Sequence, residues 1–263
     1  MSAGVASSAS LAASSAPAGV AWWRQLALLM QWQARRSLHM LPLLVLVQLL
    51  LAVATVIGYG LLIGEPDPLS GLYLATGAPT AALIMVGLVM TPQWVSQART
   101  EGSLDWMRTL PISREIYLFA DLAVWSLIAL PGISAGVVAG ALRFDVELAP
   151  AWWLVVVVLL VSLTAASIGY ALACLLPPTA ALLISQVFVF LVMLFTPISF
   201  PADRMPAWAQ SMHDWLPLQS MAELMRGGLV TTDFPVSGRA WIMVVAWCAL
   251  SVVGAGLALR RRG

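Results

Sequence analysis

The sequence predicts an all-α integral membrane protein with six transmembrane helices. It is 61% hydrophobic and only 10% charged, whereas soluble domains average about a quarter charged residues. Its mean hydropathy is +0.92. Six apolar runs follow one another, each close to the roughly 20 residues that cross a bilayer. We place them at about 41–63, 71–90, 116–142, 152–176, 179–199 and 240–259.

The segment before the first span divides into two parts. Residues 1–20 are uncharged and rich in Ser, Ala and Gly, and they lack the basic region of a secretory signal. We interpret them as a disordered tail before a single transmembrane domain, 21–263. Residues 22–37 combine arginines at helical spacing with Trp22 and Trp23, which predicts an amphipathic helix lying in the membrane interface. The alternative is a plain N-terminal extension of the first span.

The arginines predict the orientation of the chain. All 13 basic residues are Arg. With a cytoplasmic N-terminus, nine of the 13 lie on the cytoplasmic side, as the positive-inside rule requires. Both termini and the loop at 94–115 then face the cytoplasm. The nine are Arg24, Arg35, Arg36, Arg99, Arg108, Arg114, Arg260, Arg261 and Arg262.

The loop at 94–115 carries its own helix signals. Gly102 and Ser103 form a turn and a helix N-cap, and Asp105 places a negative charge in the first turn, where the helix dipole favours it. Arg108 lies near the other end, and Pro111 ends the segment. The predicted helix is too short to be stable alone and has apolar surface to spare, so it requires a partner.

Two further short helices are predicted within 205–228. Pro206 suits the first turn of a helix, and Pro217 separates the two. The second is expected to stop at Gly227-Gly228. Together they are expected to dip into the outer leaflet, or alternatively to form an external cap.

Polar residues inside the spans are few. Gln48, Thr55 and Tyr59 share one face of the first span, and Gln186 lies in the middle of the fifth. We assign these four to a substrate pathway or dimer interface, with ordinary helix packing as the alternative. Asp121, in the third span, is an intramembrane carboxylate and a functional candidate by default. Because Asp121 lies near the inner membrane interface, we expect its carboxylate to be solvated and to pair with a nearby Arg.

The composition excludes several activities. Without any Lys, the chain has no P-loop for ATP and no Lys-based catalysis. Two His and two Cys do not make a metal site, and the spans hold no nucleophile–base pair. We therefore expect no enzyme activity, and neither a cofactor nor a metal in this chain.

Three stretches resemble motifs of one family. They are Arg99-Thr-Glu101-Gly102-Ser-Leu104 with Thr109-Leu-Pro111; Phe195-Thr-Pro197 with Met205-Pro206-Ala-Trp208; and Trp215-Leu-Pro217-Leu218 through Arg226-Gly227. In order and spacing the sequence resembles the permease subunit of type-2 ABC exporters, the class that includes drug-resistance and polysaccharide-export permeases. It departs from that pattern at Trp215, where the family often has Asn, and at Asp121, near a commonly basic position.

The resemblance implies an ATP-driven exporter that moves a hydrophobic, drug-like or lipid-linked substrate out of the cytoplasm, with antibiotic efflux among the possibilities. A separate ABC ATPase subunit would bind ATP and Mg²⁺ and dock on the cytoplasmic face. A second permease copy, identical or related, would complete the pathway. The residues implied in ATPase coupling are Arg99, Glu101, Gly102, Leu104, Asp105, Met107 and Arg108.

One alternative function remains, and the composition indicates the source of the chain. A self-contained secondary transporter or channel is the alternative function, although no acidic or His relay crosses the spans. The all-Arg, Ala-rich composition indicates a bacterial cell membrane protein from a high-GC genome.

Overall fold

The computed structural model describes residues 21–38, 41–63, 67–102, 114–231 and 234–261. Within these residues every regular element is helical. The predicted tail, 1–20, lies outside them. The helices are α1 (Trp22–Ser37), α2 (Leu41–Ile63), α3 (Pro68–Met85), α4 (Thr91–Thr100), α5 (Arg114–Phe144), α6 (Leu154–Leu175), α7 (Pro178–Phe195), α8 (Ala207–His213), α9 (Pro217–Leu229) and α10 (Gly238–Arg261).

Five helical segments of the described chain are long and apolar enough to cross a membrane. They correspond to the first, second, third, fourth and sixth predicted spans. The predicted fifth span forms α7, whose apolar stretch, Pro178–Val192, is shorter than these five. An all-α membrane protein with five such helices is therefore confirmed, and the sixth predicted span stays a prediction.

The second span is longer than predicted, and the loop after it is shorter. One helical segment runs over Pro68–Thr100, so the first seven residues of the predicted loop, 94–100, belong to the helix. Polar residues such as Gln97 and Arg99 do not interrupt a helix, and the prediction took loss of hydrophobicity for loss of structure. Gly102, at φ +73°, follows α4 in the left-handed conformation, which confirms the predicted turn.

A π-helical turn, Val86–Met90, joins α3 to α4. Pro92 follows it at once and removes one backbone donor from the helix. A widened turn accommodates the carbonyl that the proline ring would otherwise strike, so the helix continues without a break. Two glycines make this region pack closely. A methyl group on Gly87 would overlap Ala165, and one on Gly169 would overlap the Gly87 carbonyl oxygen.

Helix α5 joins the N-terminal helices to the rest of the bundle, since it contacts α1, α2, α3, α6 and α10. Gly132, Gly136 and Gly140 lie at small-xxx-small spacing on α5. A methyl group on Gly140 would lie 2.9 Å from the backbone of Ala75 on α3, and one on Gly136 would lie 3.4 Å from Ala52 on α2. Because these glycines have no side chains, α2 and α3 approach the backbone of α5 closely.

Helices α8 and α9 occupy the end of the bundle opposite α4. The turn between them is bonded to α10 at two levels: Arg239 donates to the Asp214 carbonyl, and Trp247 donates to the Trp215 carbonyl. Arg239 and Trp247 are eight residues apart, about 12 Å along a helix axis. The turn therefore lies alongside the N-terminal part of α10. The predicted stop at Gly227-Gly228 is wrong. Both glycines are inside α9, where Val236 and Trp153 lie too close to admit side chains.

We predict that Gly169→Ala destabilises the protein, whereas Gly254→Ala does not. The new methyl overlaps the π-turn, and overpacking of this kind costs about 1–3 kcal/mol. Gly254 lies inside α10 with no atom near its missing methyl group, so alanine there gains up to about 1 kcal/mol of helix propensity. Unfolding of the two purified variants in detergent measures the difference; equal midpoints would contradict the close contact.

Candidate functional site

The described chain contains the base of the predicted coupling loop but not its helix. Arg99, Glu101 and Gly102 are described, whereas Leu104, Asp105, Met107 and Arg108 lie outside the described residues. The geometry therefore concerns how the loop is held where it leaves α4.

Arg99 holds α4 against the end of α6. Its guanidinium donates to the carbonyl oxygens of Ala173 and Leu176, the latter at 2.8 Å. These carbonyls belong to the last turn of α6, where backbone acceptors have no helical partner and the helix dipole favours a cation. Arg99 thus satisfies two acceptors that α6 leaves open.

Glu101 joins the same region to α1. One carboxylate oxygen is 2.9 Å from Arg36 Nη2, and the other accepts a hydrogen bond from Gln97 Nε2 at 2.7 Å. The Arg36 guanidinium also lies 5.5 Å from the ring centroid of Trp32, its neighbour on α1. Both charged side chains are more than a third exposed, so the pair adds little to stability and mainly sets orientation.

Asp121 is the second attachment of α1. Its carboxylate accepts a hydrogen bond from Gln33 Nε2, and the residue is 4% exposed. We predicted a solvated carboxylate at the membrane boundary, and this is wrong. Gln33 and Arg36 are one turn apart on α1, and both side chains face α4 and α5. Helix α1 therefore lies over Asp121 and shields it from solvent.

A polar cavity of about 40 Å³ lies between α1, α4 and α5. Such a volume accommodates one or two water molecules where polar partners are present. Gln33 Oε1 is buried there without a protein partner, as a water-bonded group would be. The rings of Trp94 and Trp125, tilted by 41° with centroids 5.4 Å apart, form the apolar side. Its remaining lining residues include Arg36, Gln97, Tyr117 and Asp121.

The four predicted pathway residues are not brought together within the chain. Gln48 is buried against Gly132, and both of its polar side-chain atoms are without a hydrogen-bond partner. Thr55 bonds the carbonyl of Leu51 in its own helix. The Tyr59 side chain lies outside the described residues, and Gln186 is exposed on α7. Helix α2 packs mainly on α5 and α3, whereas α7 packs on α4, the π-turn and α6.

Arg226 on α9 organises the opposite end of the bundle. It is buried, and its guanidinium lies 3.9 Å from the ring centroid of Tyr73 and donates to the Ile198 carbonyl. Phe234 contacts it from another side. A single buried cation thus joins α9 to the start of α3 and to the segment after α7.

Comparison with known protein families decides the identity of the chain. The family model described as ABC-2 type transporter matches residues 24–230. The chain belongs to the ABC-2 type transporter family. No curated protein matches the sequence significantly.

Membership makes this chain the membrane component of a transporter. Proteins with an ABC-2 membrane domain are multi-pass transport components that are generally not catalytic themselves. Members of the family normally work with an ABC ATPase. The match extends from α1 to the end of α9, so both ends of the bundle fall within the ABC-2 domain.

Sequence reasoning missed Gln33 and Arg36. A signal was present, because the two side chains are one turn apart on α1, and Asp121 is the only acidic residue deep in a described span. What the pattern did not indicate was the direction of α1. Gln33 and Arg36 are turned toward α5 and α4, whereas the polar residues of the prediction are exposed on α1: Arg24, Gln31 and Arg35.

We predict that Arg99→Ala destabilises the bundle by about 1–3 kcal/mol, since two carbonyl groups at the end of α6 lose their donor. Arg35→Ala is the matched control, because Arg35 is an exposed arginine on the same basic side of the chain. Chemical unfolding in detergent compares the two variants. Identical stability would show that Arg99 does not hold α6.

Proposed function

We propose that this chain is the permease subunit of an ATP-driven ABC exporter. One observation supports this most directly: the second span continues without interruption into α4 and ends at Thr100, inside the predicted coupling loop at 94–115. At that point Arg99 attaches it to α6 and Glu101 attaches it to α1. A displacement of the loop is therefore transmitted to three helices at once.

In this proposal the loop helix enters a cleft of a separate ABC ATPase subunit, which binds ATP and Mg²⁺. Leu104 and Met107 supply the apolar contact, and Asp105 and Arg108 supply charges at the two ends of the helix. Arg99, Glu101 and Gly102 set the direction of the loop. The absence of Lys fits this division of labour, because a P-loop on this chain is excluded.

The proposed topology has six spans, with α7 as the fifth, and both termini in the cytoplasm of a bacterial cell. The arginines of α1, Arg99 and the start of α5 lie at one end of the bundle, which supports a cytoplasmic assignment for that end. A second permease copy completes the pathway. Gln48, Thr55, Tyr59 and Gln186 are proposed for that pathway or for the dimer interface.

The proposed cargo is hydrophobic, drug-like or lipid-linked. The described spans contain almost no charge, and the one deep carboxylate, Asp121, is already engaged by Gln33. A highly charged cargo would have to shed its hydration without compensation.

The test is to purify the chain together with its ATPase and to measure ATP hydrolysis and export in vesicles. Met107→Glu is expected to abolish both the stimulation of hydrolysis and export, since it places a charge in the apolar contact. Glu101→Arg is expected to lower both, since it reverses the charge that faces Arg36. Glu147→Arg, an exposed change in the α5–α6 connection, is the control and is expected to keep both activities. Export that needs no ATPase would favour the self-contained transporter instead.

A charge exchange separates the role of Glu101 toward α1 from a direct contact with the ATPase. We expect Arg36→Glu and Glu101→Arg to lower export by about fivefold or more each, since either change puts two like charges together. The double variant restores the pair with reversed signs and is expected to recover most of the export rate. A double variant as poor as the worse single variant would show that Glu101 does not act through Arg36.

A further inference from the structure

An apolar cavity of about 180 Å³ lies inside the bundle, away from the coupling loop. Five elements form its walls: the end of α3 with the π-turn, α6, α7, the start of α9 and α10. The walls include Leu88, Ile168, Phe188, Leu218, Met221 and Trp247.

No polar surface faces this cavity among the described residues. The indole N–H of Trp247, a wall residue, is already bonded to the Trp215 carbonyl at 3.0 Å. A polar or charged ligand would lose its hydrogen bonds with water there and gain none, so the cavity selects uncharged, apolar groups. A glycan does not meet this condition.

The volume sets the size of the ligand. An apolar cavity of about 150 Å³ takes up benzene, so 180 Å³ accommodates one aromatic ring or a short alkyl segment. A complete lipid chain is too long, because it extends over half of a bilayer core that is roughly 30 Å thick. An empty apolar cavity of this size is costly in an otherwise close-packed bundle, and a binding site explains why it is kept.

The cavity opens beside α7, where the exposed side chains are large and apolar. Phe188, one of its walls, is 41% exposed on α7. Ile184 and Leu191 lie one turn to either side of Phe188 and are exposed as well. A hydrophobic molecule dissolved in the bilayer therefore reaches the cavity sideways, without passing through water.

One wall of the cavity belongs to the helix that ends at the coupling loop. Leu88 is in the π-turn, and Ala165, which also lines the cavity, is the residue against which Gly87 packs. A ligand thus touches both sides of the contact that positions the π-turn. Because α4 continues from this turn to Glu101, a change in the π-turn moves the base of the loop.

We propose that this cavity binds the apolar, uncharged part of the cargo, an aromatic ring or short alkyl segment, as it enters from the bilayer. Its occupancy changes the packing of the π-turn and through α4 the position of the coupling loop. This inference rests on the proposed exporter function, but binding to the cavity itself needs no ATPase.

Benzophenone photolabelling of the purified full chain in lipid nanodiscs tests the binding. One phenyl ring fits the cavity and the other lies at its mouth, and the excited ketone inserts into nearby C–H bonds. We expect mass spectrometry to find Met221 labelled. Ile168→Trp or Leu218→Trp, which fill the cavity from two different walls, should lower that labelling by about fivefold or more. Leu159→Trp, on the lipid-facing side of α6, is the matched control and should leave it unchanged.

Two results would overturn the assignment. Labelling confined to lipid-facing residues of α7, with none on Met221, would show that benzophenone does not enter the cavity. Labelling of Met221 by a phospholipid with a photoreactive acyl chain, undiminished by excess benzophenone, would show a resident lipid instead of cargo.

A second measurement separates this inference from the proposed function. In the complex with the ATPase, benzophenone should stimulate ATP hydrolysis in wild type and in Leu159→Trp but not in Ile168→Trp. Labelling of Met221 in a chain that forms no complex with an ABC ATPase would leave the cavity site intact and refute the exporter. An active exporter without labelling of Met221 would refute the cavity site alone.

Discussion

The close contact of the π-turn with α6 is the constraint on which the rest of the bundle depends. Gly87 and Gly169 have no side chains, and this allows the widened turn before Pro92 to pass α6 at backbone distance. Were either residue larger, the second span would have to bend away from α6 or end at the proline. The uninterrupted helix from Pro68 to Thr100, and with it the position of Gly102, follows from this packing.

The charged side chains of the described residues lie at the two ends of the bundle, and almost none lie between the ends. At the α4 end, Arg99 occupies the open carbonyls of α6, and Arg36 and Gln33 of α1 engage Glu101 and Asp121. At the other end, Arg226 is held between aromatic rings and a backbone carbonyl. In a bilayer an unpaired charge is expensive, so each of these groups also fixes the relative position of two helices.

The two cavities differ in the chemical groups that line them. The one beside Asp121 has a carboxylate and an unpartnered amide oxygen among otherwise largely apolar walls, which suits water. The one beside Leu88 has apolar walls only, which suits a hydrophobic ring. Both border the helix that ends at Gly102, the first near its base and the second at the π-turn. The same helix therefore borders a space suited to water at one point and a space suited to an apolar group at another.

The sequence by itself determined the class of protein, the location of most helices and the turn at Gly102, because hydrophobic runs, prolines and glycines act locally. It misplaced the end of the second span and of α9, since a polar or glycine-containing stretch stays helical when a neighbour packs on it. Only the tertiary structure decided that α1 turns Gln33 and Arg36 inward, that Gln48 and Gln186 lie on separate faces, and that a cavity opens beside Leu88. These features depend on how helices distant in sequence are rotated against one another, and the periodicity of a single helix does not contain that angle.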